Sequence, residues 1–119
     1  MEPDLSTLNL STAIEQLRRG DFSALELTEA CLRQIERLNP TINAFITLTP
    51  ELAVQGAMQA DLLLANQPSN LNELALLGIP LAIKDLFDVV DVRTTAGSKF
   101  FAGTIPGEDS QAVLKLKLN

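Results

Sequence analysis

The sequence contains no histidine, no tryptophan and no tyrosine, and its only cysteine is Cys31. Without histidine, acid–base chemistry in these 119 residues must rely on aspartate, glutamate or lysine, and a serine–histidine triad is excluded. A single cysteine excludes an internal disulfide and a cluster of thiolate metal ligands. We therefore predict neither a metal site nor a bound cofactor.

Long hydrophobic runs are also missing. No stretch is long enough to span a bilayer, and the chain does not begin with a basic segment followed by an apolar one. We therefore expect no membrane association and a cytoplasmic location. The 15 acidic residues outnumber the 9 basic ones and give a net charge of −6, which argues against direct binding to nucleic acid.

The first half of the chain is predicted to be helical. Thr12–Glu15 is a capping-box pattern before a short helix over 13–19, which Gly20 is expected to end. A threonine followed by proline begins another helix over Thr49–Ala65, since proline is well tolerated in the first helical turn.

The strongest helix prediction begins at a second capping box, Ser23–Glu26. Apolar residues recur at helical spacing and define its buried face: Leu27, Cys31, Ile35 and Leu38. Cys31 is therefore predicted to be a core residue and not a reactive thiol. The pair Asn39–Pro40 is expected to end the helix, because proline disfavours helical geometry in the residue before it.

Two short segments are predicted to be strands. Ala44–Thr47 is rich in β-prone residues. Leu81–Ile83 is a short apolar run that follows two turn residues, Gly78 and Pro80.

Lys84 directly follows the second predicted strand. At the inner end of a buried strand, desolvation would disfavour its ammonium form, and a lowered pKa would let the amine serve as a base. The alternative is a lysine that extends from a strand end into solvent, which is the commoner behaviour of this residue type. The residues by themselves leave both interpretations open.

Three aspartates follow at a spacing of three: Asp85, Asp88 and Asp91. They lack the alternating ligand positions and the glycine of a calcium loop, so we predict solvated loop carboxylates and no metal site. An irregular connection over 97–109 comes next, and Asp109 or Ser110 is expected to cap a last helix that ends near Leu118.

The segment Gly78–Asp85, with the sequence Gly-Ile-Pro-Leu-Ala-Ile-Lys-Asp, resembles the catalytic-lysine segment of the amidase signature family. Val92–Ser98 is similar to the segment that follows in those enzymes, and the likeness extends from about Ser23 to Val113. It is strongest to the A subunits of tRNA-dependent amidotransferases and to related free-standing amidases. The resemblance implies an α/β fold in which helices pack on a mixed β-sheet.

The resemblance also implies a Ser–cisSer–Lys triad in which Lys84 is the catalytic lysine, acting through a bridging serine on a nucleophilic serine. Ser98 matches a position other than the nucleophile and is expected to be a turn serine. The family's two catalytic serines belong to a segment rich in glycine and serine, and this sequence contains no Gly-Gly or Ser-Ser pair. We therefore expect a chain truncated before that segment and inactive alone.

The expected organisation is one partial amidase domain, 1–119, with a helical part over 1–65, a loop over 66–76 and a catalytic-lysine segment over 77–119. Three functions remain open. The chain is part of an amide hydrolase or amidotransferase acting on a small amide. More narrowly, it belongs to the glutaminase A subunit of a Glu-tRNA(Gln)/Asp-tRNA(Asn) amidotransferase with companion subunits. In a different class, it is a non-catalytic binding module or an inactive truncated product. In isolation we expect only marginal folding, because strand edges and apolar faces would be uncovered.

Overall fold

The computed structural model describes residues 4–118, and the chain divides between Pro80 and Leu81 into two compact units. The α-helices are α1 (Leu10–Arg19), α2 (Ala24–Ile42), α3 (Pro50–Ala65) and α4 (Gln111–Lys117). Single 3-10 turns lie at Leu5–Thr7, Leu71–Glu73 and Lys99–Phe101. None of the helices described is both long enough and apolar enough to cross a membrane.

Residues 4–118 contain no β-strand, and β-type pairing is limited there to an isolated bridge between Val89 and Val92. The strand predictions for Ala44–Thr47 and Leu81–Ile83 are therefore wrong for this chain. A strand needs a neighbour to accept and donate its backbone hydrogen bonds, and the described part of the chain offers none to either segment. The mixed β-sheet is accordingly not confirmed.

Helix α1 begins three residues earlier than the capping-box pattern suggested, at Leu10 instead of Ala13. Asn9 is its N-cap, and the Asn9 side-chain oxygen accepts a hydrogen bond from the Thr12 amide at 2.9 Å. The predicted start at Thr12 is thus wrong, since asparagine caps as well as threonine does. The predicted end is confirmed: Gly20 adopts the left-handed conformation, with φ of 77°.

The capping box of α2 is confirmed in both directions. The Glu26 amide donates to Ser23 Oγ at 3.0 Å, and the Ser23 amide donates to Glu26 Oε2 at 2.7 Å. These bonds help hold the Glu26 carboxylate ionised: its pKa lies below the ordinary value, first because of the Ser23 amide and then because of the Ser23 hydroxyl.

The helix does not end at Asn39–Pro40, as predicted, but continues to Ile42. Pro40 has no amide hydrogen to donate to the Glu36 carbonyl, so it removes one helical bond near the end of α2 without ending the helix there. Asn43 then ends α2 in the left-handed conformation, with its amide bonded to the Asn39 carbonyl at 2.8 Å. The Asn39 side chain binds both backbone groups of Phe45, at 2.8 and 3.1 Å, and so occupies the groups that a strand would have used.

The core of the first unit lies where α2 packs on α3. The residues that form it are mostly small: Leu17, Ala24, Ala57 and Ala60 are buried. Alanine at three of these four positions lets the two helix backbones approach closely. On the same face of α2, Cys31 is half-buried; burial raises the pKa of its thiol, and the Asp4 carboxylate adds to this effect.

Helix α3 contributes a polar contact as well. The Asp61 carboxylate accepts hydrogen bonds from the Ala24 and Leu25 amides at 2.6 and 3.1 Å, which are among the unpaired amides at the start of α2. A carboxylate at a helix N-terminus also interacts favourably with the helix dipole. Helix α3 itself begins at Pro50 as predicted, although the Thr49 side chain makes no capping hydrogen bond.

Gly78 closes the first unit against this core. Its backbone has φ of 82°, and a Cβ placed there would lie 2.7 Å from Leu17 Cδ2 and 3.1 Å from Ala24 Cβ. Only glycine satisfies both the positive φ and the close approach. The residue that the sequence marked as a turn signal therefore also packs tightly on two core side chains.

The second unit consists mainly of loops held by hydrogen bonds. Its one described α-helix, α4, is capped by Ser110, whose Oγ accepts from the Val113 amide at 3.4 Å. Ser110 is thus the cap, and Asp109 has another role. The largely buried Asp109 carboxylate accepts from the Val90 amide at 2.8 Å and pairs with Lys117 Nζ at 2.6 Å.

Candidate active-site segment

Lys84 lies in the second unit, in a segment without regular secondary structure, and it is exposed. The expectation that it emerges from a buried strand is wrong for this chain. Because Leu81–Ile83 has no strand partner among residues 4–118, Leu81 keeps 47% of its surface accessible. In this chain the lysine therefore lies where the alternative interpretation placed it, in contact with solvent.

The backbone at Lys84 is nevertheless well held. Its carbonyl oxygen accepts hydrogen bonds from the Leu86 amide at 2.7 Å and from the Phe87 amide at 3.0 Å. These two bonds form a tight turn immediately after the lysine. The side chain extends to solvent, whereas the peptide unit that carries it is fixed.

Asp85 connects the two segments that carry the amidase resemblance. Its carboxylate accepts hydrogen bonds from the Thr95 amide at 2.8 Å, from the Gly97 amide at 3.3 Å and from the Thr95 hydroxyl. The Asp85 carbonyl accepts a further bond from the Ala96 amide at 2.8 Å. Three consecutive residues of the second segment are therefore bound to one residue of the first.

The second segment is shaped to present these donors. Ala96 and Gly97 both have positive φ, 51° and 68°, so two successive residues adopt the left-handed conformation. This conformation is uncommon for alanine, and two successive residues of positive φ are typical of a tight turn. The Thr95, Ala96 and Gly97 amides all donate to Asp85 from it. Thr95 is 5% exposed, and its hydroxyl also accepts from the Gly97 amide at 3.1 Å.

These contacts stabilise the ionised form of Asp85. Its pKa lies below the ordinary value of 3.8, first because of the Thr95 hydroxyl, then the Thr95 amide, with smaller contributions from the Gly97 amide and the positive charge of Arg93. The prediction of a solvated loop carboxylate is thus wrong for Asp85, which is half-buried and bonded. It holds for Asp88 and Asp91, which are exposed.

Sequence reasoning missed the Asp85 contact because ten residues separate it from Thr95 and no local pattern links them. Gly97 was a sequence signal for a turn, but it does not reveal what the neighbouring amides bind. Within the described residues, no group of three or more His, Cys, Asp or Glu side chains is arranged to hold a metal ion. Ser98 is confirmed as a turn serine: its Oγ accepts from the Phe100 amide at 3.2 Å.

Comparison with known proteins places both segments inside a single family match. A family model described as Amidase matches residues 26–119. The chain is 41% identical over 116 residues to the A subunit of glutamyl-tRNA(Gln) amidotransferase from Ehrlichia canis (strain Jake), covering 98% of this chain and 23% of that protein. It is 44% identical over 106 residues to the protein of the same name from Granulibacter bethesdensis, covering 89% of this chain and 20% of that protein.

The fold comparison agrees. A solved structure described as "An unexpected vestigial protein complex reveals the evolutionary origins of an s-triazine catabolic enzyme", in its inhibitor-bound form, matches with a TM-score of 0.83 and 33% identity. The match covers 92% of this chain and 24% of that one. The chain thus spans less than a quarter of the length of each of these relatives.

Proposed function

The chain belongs to the amidase family, and we propose from this premise that Lys84 is the catalytic lysine of an amide-cleaving enzyme of which these residues form one part. The observation that carries the proposal is the link between the two family segments. Asp85 binds three residues of the second segment, so the lysine beside it is held on a fixed backbone with a free side chain.

The proposed chemistry is of the Ser–cisSer–Lys type. The neutral Lys84 amine accepts a proton from a bridging serine, which accepts one from the nucleophilic serine. The nucleophile attacks the amide carbonyl, the carbon–nitrogen bond breaks, and the amine leaves with a proton. Water or another acceptor then releases the acyl group from the enzyme. The two serines would come from polypeptide outside this sequence.

The amide substrate is proposed to be small, and amidotransferase function is favoured over other amidase functions. Relatives at 41% and 44% identity are named as A subunits of glutamyl-tRNA(Gln) amidotransferase, whereas identity to the s-triazine-related structure is 33%. Under this proposal, the amide would be that of glutamine and companion subunits would take up the ammonia released. The cytoplasmic location and the bounds 1–65, 66–76 and 77–119 stay predictions.

We also propose that further amidase polypeptide covers the second unit and supplies the strands of the mixed sheet. Large apolar side chains are exposed there: Leu81, Ile83, Leu86, Phe87, Phe100 and Phe101. An apolar surface of this extent is typical of an interface and not of a free surface. Burial by such polypeptide would also desolvate the Lys84 region and favour the neutral amine. The alternative is a separate binding module without a catalytic role, and full activity of a Lys84→Ala variant would favour it.

The test joins residues 1–119 to the remaining part of the Ehrlichia canis relative and measures ammonia release from glutamine. We expect Lys84→Ala to lower kcat on the order of 10³-fold or more, since loss of one member of such a triad removes nearly all of its benefit. Lys99→Ala, at another exposed lysine of the same unit, is the matched control and should retain activity. Full activity of Lys84→Ala would overturn the catalytic assignment.

A further inference from the structure

We propose that Asp85 is a positioning residue: by binding residues 95–97, it fixes the backbone from which Lys84 projects. The inference rests on the proposed function of Lys84 for its catalytic meaning. Its structural content, that one carboxylate sets the mobility of the lysine, stands on geometry within the second unit and can be tested separately.

The Asp85 carboxylate uses both of its oxygens. Oδ1 accepts from the Thr95 amide at 2.8 Å, while Oδ2 accepts from the Thr95 hydroxyl and the Gly97 amide. The side chain therefore receives three donors and makes no contact that requires it to donate. An ionised carboxylate is a pure acceptor, so it matches this arrangement fully.

Residue types that are chemically similar to aspartate match these three donors less well. Asparagine has a single acceptor oxygen, and its amide group would direct N–H bonds at the remaining donors, leaving at least one donor unpaired. Glutamate keeps the charge but is one methylene longer. Its oxygens would therefore lie too far along for the Thr95 and Gly97 amides, which now lie 2.8 and 3.3 Å from the Asp85 carboxylate oxygens. The lowered pKa of Asp85 agrees with the ionised form at neutral pH.

The effect reaches Lys84 through the peptide bond that joins the two residues. This bond is planar, and its carbonyl oxygen already accepts from the Leu86 and Phe87 amides at 2.7 and 3.0 Å. The peptide unit between Lys84 and Asp85 therefore has little freedom, because the Asp85 side chain is anchored and the Lys84 carbonyl is bonded in a turn. The Lys84 side chain is exposed, so its placement depends on the backbone that carries it.

Misplacement of a catalytic group by about 1 Å can cost on the order of 10²-fold in rate. An anchor next to the lysine is therefore a direct way to control that rate without contact with substrate. Loss of the anchor should affect turnover and leave substrate binding largely intact.

The first test uses the 119-residue chain and NMR. In Asp85→Asn we expect amide hydrogen exchange at Thr95 and Gly97 to accelerate about tenfold or more, because asparagine offers one acceptor oxygen where the carboxylate offers two. The backbone order parameter of Lys84 should fall from about 0.85 toward about 0.6. Asp88→Asn, at an exposed carboxylate in the same unit, is the matched control and should change neither quantity. Unchanged exchange and order in Asp85→Asn would overturn the inference.

A second variant covers the case in which Asp85→Asn unfolds the unit. Thr95→Val removes the hydroxyl donor but keeps the Thr95 amide and the shape of the buried side chain. We expect a smaller acceleration of exchange at Gly97 and a smaller drop in Lys84 order. A Thr95→Val chain with the exchange and order of the wild type would count against the anchor.

The kinetic test uses the fusion described above. Asp85→Asn should lower kcat on the order of 10²-fold with little change in KM, and Asp85→Glu should recover part of the loss. A KM effect without a kcat effect would remove the positioning role. If Lys84→Ala keeps its activity while Asp85→Asn mobilises Lys84 in the NMR test, the proposed function fails and the anchor itself stands.

Discussion

The two units of the chain are stabilised in different ways. The first is built from packed helices whose core contains Leu17, Ala24, Ala57 and Ala60. The second has little buried apolar surface: among its described residues the buried hydrophobic one is Val113, and the buried polar ones are Thr94 and Thr95. Its loops are joined instead by the carboxylates of Asp85 and Asp109.

The comparison indicates which unit is suited to which task. Apolar packing between helices is nondirectional and does not depend on the charge of a single residue, so it suits a scaffold. Hydrogen bonds accepted by a carboxylate fix the direction of a loop, which suits a segment that carries a catalytic side chain. The cost is that such a loop depends on the charge of one or two residues.

The largest expected effect concerns packing in the first unit. Gly78→Ala would place a Cβ 2.7 Å from Leu17 Cδ2 on a backbone with φ of 82°, so both the contact and the conformation oppose it. We expect the free energy of unfolding to fall by about 2–3 kcal/mol, measured by urea denaturation. A change below the error of that measurement would show that the core is looser than its geometry implies.

Gly56→Ala is the matched control. Gly56 lies inside α3, and a Cβ there would meet no atom within 4 Å. Alanine is the better helix former by up to about 1 kcal/mol, so this variant should be as stable as the wild type or more stable. If alanine lowers the free energy of unfolding at position 78 and raises it at position 56, the loss at position 78 comes from the local contacts and backbone conformation and not from alanine itself.

A smaller effect should come from the polar contact within the first unit. Asp61→Ala removes the acceptor for the Ala24 and Leu25 amides and should cost about 1–2 kcal/mol of unfolding free energy. Gln59→Ala, an exposed position on the same helix, is the control and should change it by less than about 0.5 kcal/mol. Equal effects of the two variants would mean that the first unit needs no polar anchor.

The response to acid should have the smallest effect on the stability of the whole chain. It is also the sharpest test of the difference between the two units. Hydrogen bonds from Thr95 hold the pKa of Asp85 below 3.8, and the hydrogen bond from Lys117 holds the pKa of Asp109 below 3.8. A lowered folded-state pKa contributes stability that is fully present above the ordinary value and is lost as the pH falls through the folded-state pKa. Arg93 and Lys117 are the cations that act on these two carboxylates.

In the first unit the capping box of Glu26 also weakens in acid, but α2 keeps its apolar packing on α3. We therefore expect the second unit to lose order before these helices when the pH falls below about 3.8. NMR chemical shifts and exchange at the Thr95 and Val90 amides, which bind these carboxylates, should change before those of Ala57 and Ala60 in α3. If both units lost order at the same pH, the second unit would not depend on charge more than the first.

Features that depend on residues close in sequence were predictable. The Ser23–Glu26 capping box, the end of α1 at Gly20 and the start of α3 at Pro50 each involve groups within one helical turn. The strand predictions failed for a different reason. A strand is stabilised by a partner strand, so a β-prone segment such as Ala44–Thr47 adopts another conformation when Asn39 binds its backbone instead.

The candidate site shows the same division. The amidase motifs identified Lys84 as the residue to examine, and the family match over residues 26–119 supports the family assignment. The sequence did not show that Lys84 is exposed in this chain, or that Asp85 is bound to Thr95 and Gly97. Both depend on which segments meet in space.

By itself, the sequence indicated the helices of the first unit, the capping box of α2, the end of α1 at Gly20 and the family, because these follow from local spacing and from motifs. Only the tertiary structure decided that Gly78 packs against Leu17, that Asp61 caps the neighbouring helix and that Asp85 joins the two motif segments. Each of these contacts links residues that are distant along the chain, and a hydrogen bond or a steric contact acts only over a few ångströms. A local sequence pattern can point to such residues, but only the folded structure shows which residues they contact.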